Sequence, residues 1–213
     1  SQLDTGSVAP SSLGDYQTAA IEALLAALTT GYPRNGQVVM ATGLGKTFVA
    51  ARALQMRAER KAMKVLVLAH TNQLIIQLEK AFWPFIGPEE QTAIWNQSEK
   101  PTATTLESCN FIFGSRDSVS NFIESGGELP EVDLVLVDEC HHAHTLSTRY
   151  QRILTHMRAG TADGPQLIGL TATPFVSDPE AELEPVFGKP LVMIDMIYGL
   201  RHGFLSQVKY QLF

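Results

Sequence analysis

Val38-Val39-Met40-Ala41-Thr42-Gly43-Leu44-Gly45-Lys46-Thr47 is the stretch that decides how the rest of the chain is read. Three apolar residues form a short strand that runs straight into a glycine-bracketed turn. A helical pattern carrying Val49, Leu54 and Met56 follows through about Lys61. Strand, glycine turn and helix in that order are what a phosphate-cradling loop requires. Gly43 and Gly45 permit torsions that point successive N–H groups inward, at a helix N-terminus that already favours anions. Thr42, Gly43, Leu44, Gly45, Lys46 and Thr47 are therefore the candidate ATP-binding loop. Lys46 is placed to reach the β- and γ-phosphates, and the Thr47 hydroxyl is a ligand type suited to Mg2+. Met40 stands where the general pattern begins with Gly.

Outward from this loop the chain alternates strands and helices. Upstream, Ala19, Ile21, Leu24, Leu25 and Leu28 recur at helical spacing from Tyr16, until Gly31-Tyr32-Pro33 stops the run. Downstream, Val65–Ala69, Asn110–Phe113, Leu134–Val137 and Leu167–Leu170 are short continuous apolar runs, the signature of strands covered on both faces. Helical spacing returns at Leu74, Ile75, Leu78 and Phe82, and again around Tyr150, Ile153, Leu154 and Met157. The segments 97–108, 124–131, 159–166 and 177–185 read as loops. The expected fold is α/β, a RecA-like P-loop domain whose mainly parallel central sheet carries helices on both faces. Phe82 and Trp83 read as core or satellite packing, Cys109 as a buried small residue, and Trp95 has no assignment.

Composition narrows the classes. With 45% hydrophobic residues the chain can build a core, so disordered and disulfide-framework readings fall away. Sixteen Lys plus Arg against 22 Asp plus Glu leave a net charge of −6, so contact with a polyanion must rest on local geometry. Two cysteines point to a reducing, intracellular setting, cytoplasmic or nucleoid/nuclear. No apolar run approaches the roughly 20 residues of a membrane span, so no membrane partner is expected.

Val137-Asp138-Glu139-Cys140-His141-His142 ends an apolar strand with two adjacent carboxylates. Such a pair needs a counter-charge, which Mg2+ on nucleotide phosphates would provide. Asp138 suits a direct or water-bridged role toward Mg2+. Glu139 suits orienting and deprotonating the attacking water. A zinc reading of Cys140, His141, His142 and His144 lacks the paired ligand spacing such sites use.

These two motifs, with Leu170-Thr171-Ala172-Thr173-Pro174 after them, resemble superfamily 2 helicases and translocases over most of the chain, with the flavour of the restriction-type, UvrB-like branch. The resemblance makes Ala41–Thr47 motif I and Asp138–His141 a motif II of the DEAH/DECH type. Thr171 and Thr173 become motif III, with His141 coupling the nucleotide site to it. It also implies that Gln17, in Asp15-Tyr16-Gln17, reads the adenine edge, and that Thr71, Ser115 and Arg116 touch nucleic acid. The activity implied is nucleic-acid-dependent ATPase, with Lys46, Asp138 and Glu139 catalytic, ATP and Mg2+ as cofactors, and DNA favoured over RNA. Gly14 stands where the family often has Arg, and Asp117 where Gln is common.

By the same resemblance, residues 1–12 are a lead-in and 13–190 the ATP-binding RecA-like domain. Residues 191–213 are then an exit segment toward a second RecA-like domain of the same polypeptide that this sequence does not include. The alternatives are a decayed RecA-like module kept for binding partners or nucleic acid, and a small-molecule P-loop kinase or transporter ATPase. Intact Lys46, Thr47, Asp138 and Glu139 argue against the first, and Gln17 with Thr171–Thr173 against the second.

Overall fold

The computed structural model describes residues 15–87, 90–173 and 182–194. Among these, the strands Asn35–Met40 (β1), Val65–Ala69 (β2), Thr92–Trp95 (β3), Phe111–Ser115 (β4), Leu134–Val137 (β5), Gln166–Thr171 (β6) and Pro190–Ile194 (β7) form one sheet. Its order is β3-β4-β2-β5-β6-β1-β7, and every pairing is parallel. β2 lies between β4 and β5, with Val65 in register with both Phe111 and Leu134. Helices cover both faces, so β2, β4, β5 and β6 are buried along their whole length. That double burial is why their sequences are apolar without alternation.

Successive side chains in a strand point to opposite faces, and the two cores divide accordingly. On one face Val65, Val67, Leu136 and Ile168 pack with Asp15–Thr30 (α1), Lys46–Ala58 (α2) and Asn72–Phe82 (α3). On the other, Leu66, Leu68, Val135 and Leu167 pack with Ala103–Ser108 (α4), Arg116–Glu124 (α5), Thr148–Met157 (α6) and Glu184–Phe187 (α7). In a parallel sheet the loops at the carboxyl ends of the strands share one rim. Here that rim carries the segments after β1, β2, β4, β5 and β6, so every motif singled out above lies along it except Gln17, which α1 brings to the phosphate loop.

Several expectations change. The helix read through Lys61 ends at Ala58, and a turn closed by Lys61 N–H on the Arg57 carbonyl follows. The loop 97–108 contains α4, whose N-terminus the Thr102 hydroxyl caps. Trp95 belongs to β3, a short strand at the sheet edge, where it is 4% exposed and edge-on to Phe122 at 4.9 Å. Phe82 is core, but Trp83 is 56% exposed in a 3-10 turn that points it away from the packed face of α3. The sheet also crosses the expected boundary at 190/191, because β7 runs to Ile194, whose carbonyl accepts from Ala41 N–H at 2.9 Å. The lead-in 1–12, Gly14, Pro174 and the segment from 195 onward lie outside the described residues.

Candidate functional site

The phosphate loop is shaped by two left-handed glycines, Gly43 at φ 86° and Gly45 at φ 84°. Between them Leu44 buries its side chain in the core and anchors the turn. Its carbonyl accepts from Tyr16 Oη and from Gln17 Nε2, both at 3.1 Å. A Cβ on Gly45 would lie 2.6 Å from Gln17 Nε2, so this glycine is required by its torsion and by its neighbour. Met40 departs from the Gly of the general pattern because it is the last residue of β1, with its side chain wholly in the core. No side chain caps the N-terminus of α2, so its first amides face the loop's concavity.

Only β6 separates β1 from β5 in the sheet, about 10 Å between their axes. The Lys46 side chain crosses that gap and pairs with Glu139 Oε1. Glu139 itself sits at φ 47°, a left-handed backbone that costs a non-glycine residue about 1–3 kcal/mol and is typical of functional turns. Asp138, beside it, is 6% exposed, and its N–H donates to the Leu68 carbonyl at 2.9 Å. Its Oδ1 is buried with no partner in the protein. Burial pushes the Asp138 carboxyl up to about 6, against the pull of Lys46 and with a further push from Glu139. A buried carboxylate oxygen left unpaired is costly, and a bound cation is the natural group to complete it. Asp138 and the nearby Thr47 thus fit a Mg2+ site by the chemistry of their donors.

Cys140 turns the other way. Its thiol is fully buried, where a Cβ on Gly169 would meet Sγ at 2.6 Å and Phe187 Cδ1 at 2.8 Å, and burial pushes its pKa up. The residue packs the acidic turn onto β6. His141 returns to the site: Nδ1 lies 3.1 Å from Thr171 Oγ1 and 3.4 Å from Glu139 Oε2. Thr171 Oγ1 donates to the Thr173 carbonyl at 2.7 Å and accepts from Thr173 N–H at 3.2 Å. With its one proton so committed, Thr171 must accept from His141, which assigns the proton to Nδ1. Lys46, Glu139, His141, Thr171 and Thr173 are therefore one connected polar chain.

The three expected nucleic-acid residues behave differently. Thr71 is exposed and its Oγ1 caps α3, accepting from Leu74 N–H at 3.3 Å. Ser115 is 1% exposed, and its hydroxyl faces inward to cap α5 through Ser118 N–H at 3.4 Å and Ser118 Oγ at 3.0 Å. A buried cap cannot touch a polymer, so Ser115 drops out as a contact. Arg116 is half-buried, donating to Asp117 Oδ1 at 2.7 Å with its guanidinium 5.7 Å from the Tyr150 ring centroid. Asp117, the charge that stands where Gln is common, is compensated within the chain. Burial alone would raise its pKa, but hydrogen bonds from Arg116 and Arg149 outweigh it and hold the carboxyl below its usual range. The sequence reading missed Arg149 and Tyr150, which lie on α6 far along the chain and meet Arg116 only through the packing of α5 on α6.

The family described as "Type III restriction enzyme, res subunit" matches residues 11–176. The type I restriction enzyme EcoAI endonuclease subunit of Escherichia coli is 28% identical over 198 residues, 91% of this chain and 23% of its own length. The ATP-dependent DNA helicase MPH1 of Pyricularia oryzae is 30% identical over 176 residues, 78% of this chain and 15% of its own. The helicase domain of Pyrococcus furiosus Hef superposes with a TM-score of 0.62 at 28% identity, covering 78% of this chain and 33% of that one. The chain spans less than a quarter of the length of these curated relatives. The RecA-like α/β fold expected from the sequence is the fold observed.

Proposed function

We propose, for a chain that belongs to the type III restriction enzyme res-subunit family, that it is the ATP-binding RecA-like half of an ATP-dependent nucleic-acid helicase or translocase. The observation that carries this reading is the crossing of Lys46 from the phosphate loop to Glu139 beside a buried, unpartnered Asp138 oxygen. The pair brings the phosphate-binding cation and the water-activating carboxylate into contact across one strand. A polyphosphate in the loop offers Lys46 a more highly charged partner. The exchange releases Glu139 Oε1 to take a proton from the attacking water. The N–H groups from Gly43 to Thr47 hold the phosphates. Gln17, already against Leu44, is one side-chain rotation from the base edge.

Thr47 and Asp138 would hold Mg2+, which neutralises charge on the bridged phosphates when bound. His141 reports the state of Glu139 to Thr171 and Thr173 through the hydrogen bonds described above. Thr71 and Arg116, on the same rim, are the proposed polymer contacts, and residues beyond β7 lead to a second RecA-like domain that supplies arginine to the transition state. DNA is the favoured polymer, which the printed name of the fungal relative supports. The place of action is intracellular, and among the described residues no helix is long and apolar enough to cross a membrane.

The test is steady-state ATPase activity of the intact polypeptide against a panel of DNA and RNA polymers. Stimulation by DNA above RNA is expected. Turnover indifferent to every polymer would refute the reading.

A further inference from the structure

We propose that His70, His142 and His141 form a stacked positioning chain that carries the placement of the polymer-side loop after β2 to Glu139 at the nucleotide. The inference rests on the function proposed above, and His70 and His142 have no role in that proposal. The ring centroids of His70 and His142 are 4.1 Å apart, as are those of His142 and His141. The second and third rings are neighbours in sequence. The first comes from a different strand end, next to Thr71 at the start of α3.

Three features make the stack a transmission element. His70 Nδ1 is buried and has no hydrogen-bond partner, so no hydrogen bond at that atom orients the ring and its contact with His142 bears on its placement. His142 is held at its other end by its own backbone, whose N–H donates to the Glu139 carbonyl at 3.0 Å. A push on the His142 ring is therefore delivered to the left-handed Glu139 turn. That turn is the strained element of the site and the one best placed to have two arrangements. Burial, and then the neighbours His141 and His70, push His142 down to about 4. Burial likewise lowers His70 and His141. The rings are uncharged at neutral pH and stack without repulsion.

A stack that merely filled space would contribute to stability alone. A positioning chain makes a different demand: loss of the central ring should leave polymer-free turnover in place and remove the response to polymer. The measurement is ATPase of the intact polypeptide, with and without saturating single-stranded DNA, for wild type, His142→Ala, His142→Phe, His70→Ala and the double alanine variant. His142→Ala should keep the basal rate and nucleotide affinity while its stimulation falls about tenfold, within the range usual for coupling between sites. His142→Phe, which keeps a flat ring, should recover most of the stimulation. The double variant should lose no more than the worse single one, since both break the same chain.

If His142→Ala does not fold, His142→Leu fills the volume without a flat ring and carries the same expectation. Wild-type stimulation in His142→Ala, equal losses in the alanine and phenylalanine variants, or additive losses in the double variant would each overturn the chain. A wild type that no polymer stimulates would overturn the parent function, and this proposal with it. A stimulated wild type with equally stimulated variants would overturn this proposal alone.

Discussion

Replacing Gly45 with Ala tests the geometry of the phosphate loop against an internal control. Gly43 and Gly45 share nearly the same left-handed torsion, at φ 86° and 84°. A Cβ added at Gly43 meets nothing within 4 Å, whereas one at Gly45 would lie 2.6 Å from Gln17 Nε2. Gly43→Ala therefore bears the torsional cost alone, about 1–2 kcal/mol for an L-residue in this region. Gly45→Ala bears that cost and also displaces the Gln17 amide from the Leu44 carbonyl, a hydrogen bond with a net value of about 0.5–1.5 kcal/mol. The second variant should thus be about 1 kcal/mol less stable than the first. Urea unfolding of both variants, in the native and in a Gln17→Ala background, measures the difference. Without Gln17 the gap should close. Equal losses with Gln17 present, or a gap that survives its removal, would refute the assigned contact.

Gly169→Ala should destabilise the fold by about 1–3 kcal/mol, because its methyl would press on Cys140 and Phe187 in a packed core; thermal or urea unfolding reads this. Ser115→Ala should cost about 1 kcal/mol of stability through the lost α5 cap while single-strand binding, measured by fluorescence anisotropy, stays unchanged. Polymer binding should be weakly salt-dependent, with a slope of about −0.7 per phosphate neutralised on a single strand, and Arg116→Ala should flatten it; a steep slope shared by both proteins would place the contact elsewhere.

The parts of this fold legible in the sequence are those where one physical demand acts alone. β2 and β5 read as strands because burial on both faces leaves only apolar residues, and the phosphate loop reads because its torsions admit little but glycine. β3 escaped detection because it is an edge strand of Thr92–Trp95 with alternate residues only half-buried, too short for a pattern. α4 and α5 are short and rich in Thr, Ser, Asn and Asp, residues that read equally as turn formers and as helix caps. At the site, Lys46, Asp138, Glu139 and His141 were found from strand ends, since the rim of a parallel sheet gathers such residues. The inward turn of Ser115, the tie between Arg116 and α6, and the stacking of His70 on His142 depend on which helices pack together, which no local spacing encodes.

The central claim is a division of labour between Lys46, which binds, and Glu139, which acts on water. Calorimetric titration of Mg·ATP into wild type, Lys46→Ala and Glu139→Gln, paired with single-turnover hydrolysis by the intact polypeptide, separates the two roles most directly. Lys46→Ala should lose affinity. Glu139→Gln should bind at least as tightly as wild type, since Lys46 no longer has an ion pair to leave, while its hydrolysis rate collapses. Loss of binding in Glu139→Gln with normal turnover of whatever nucleotide remained bound would contradict the account.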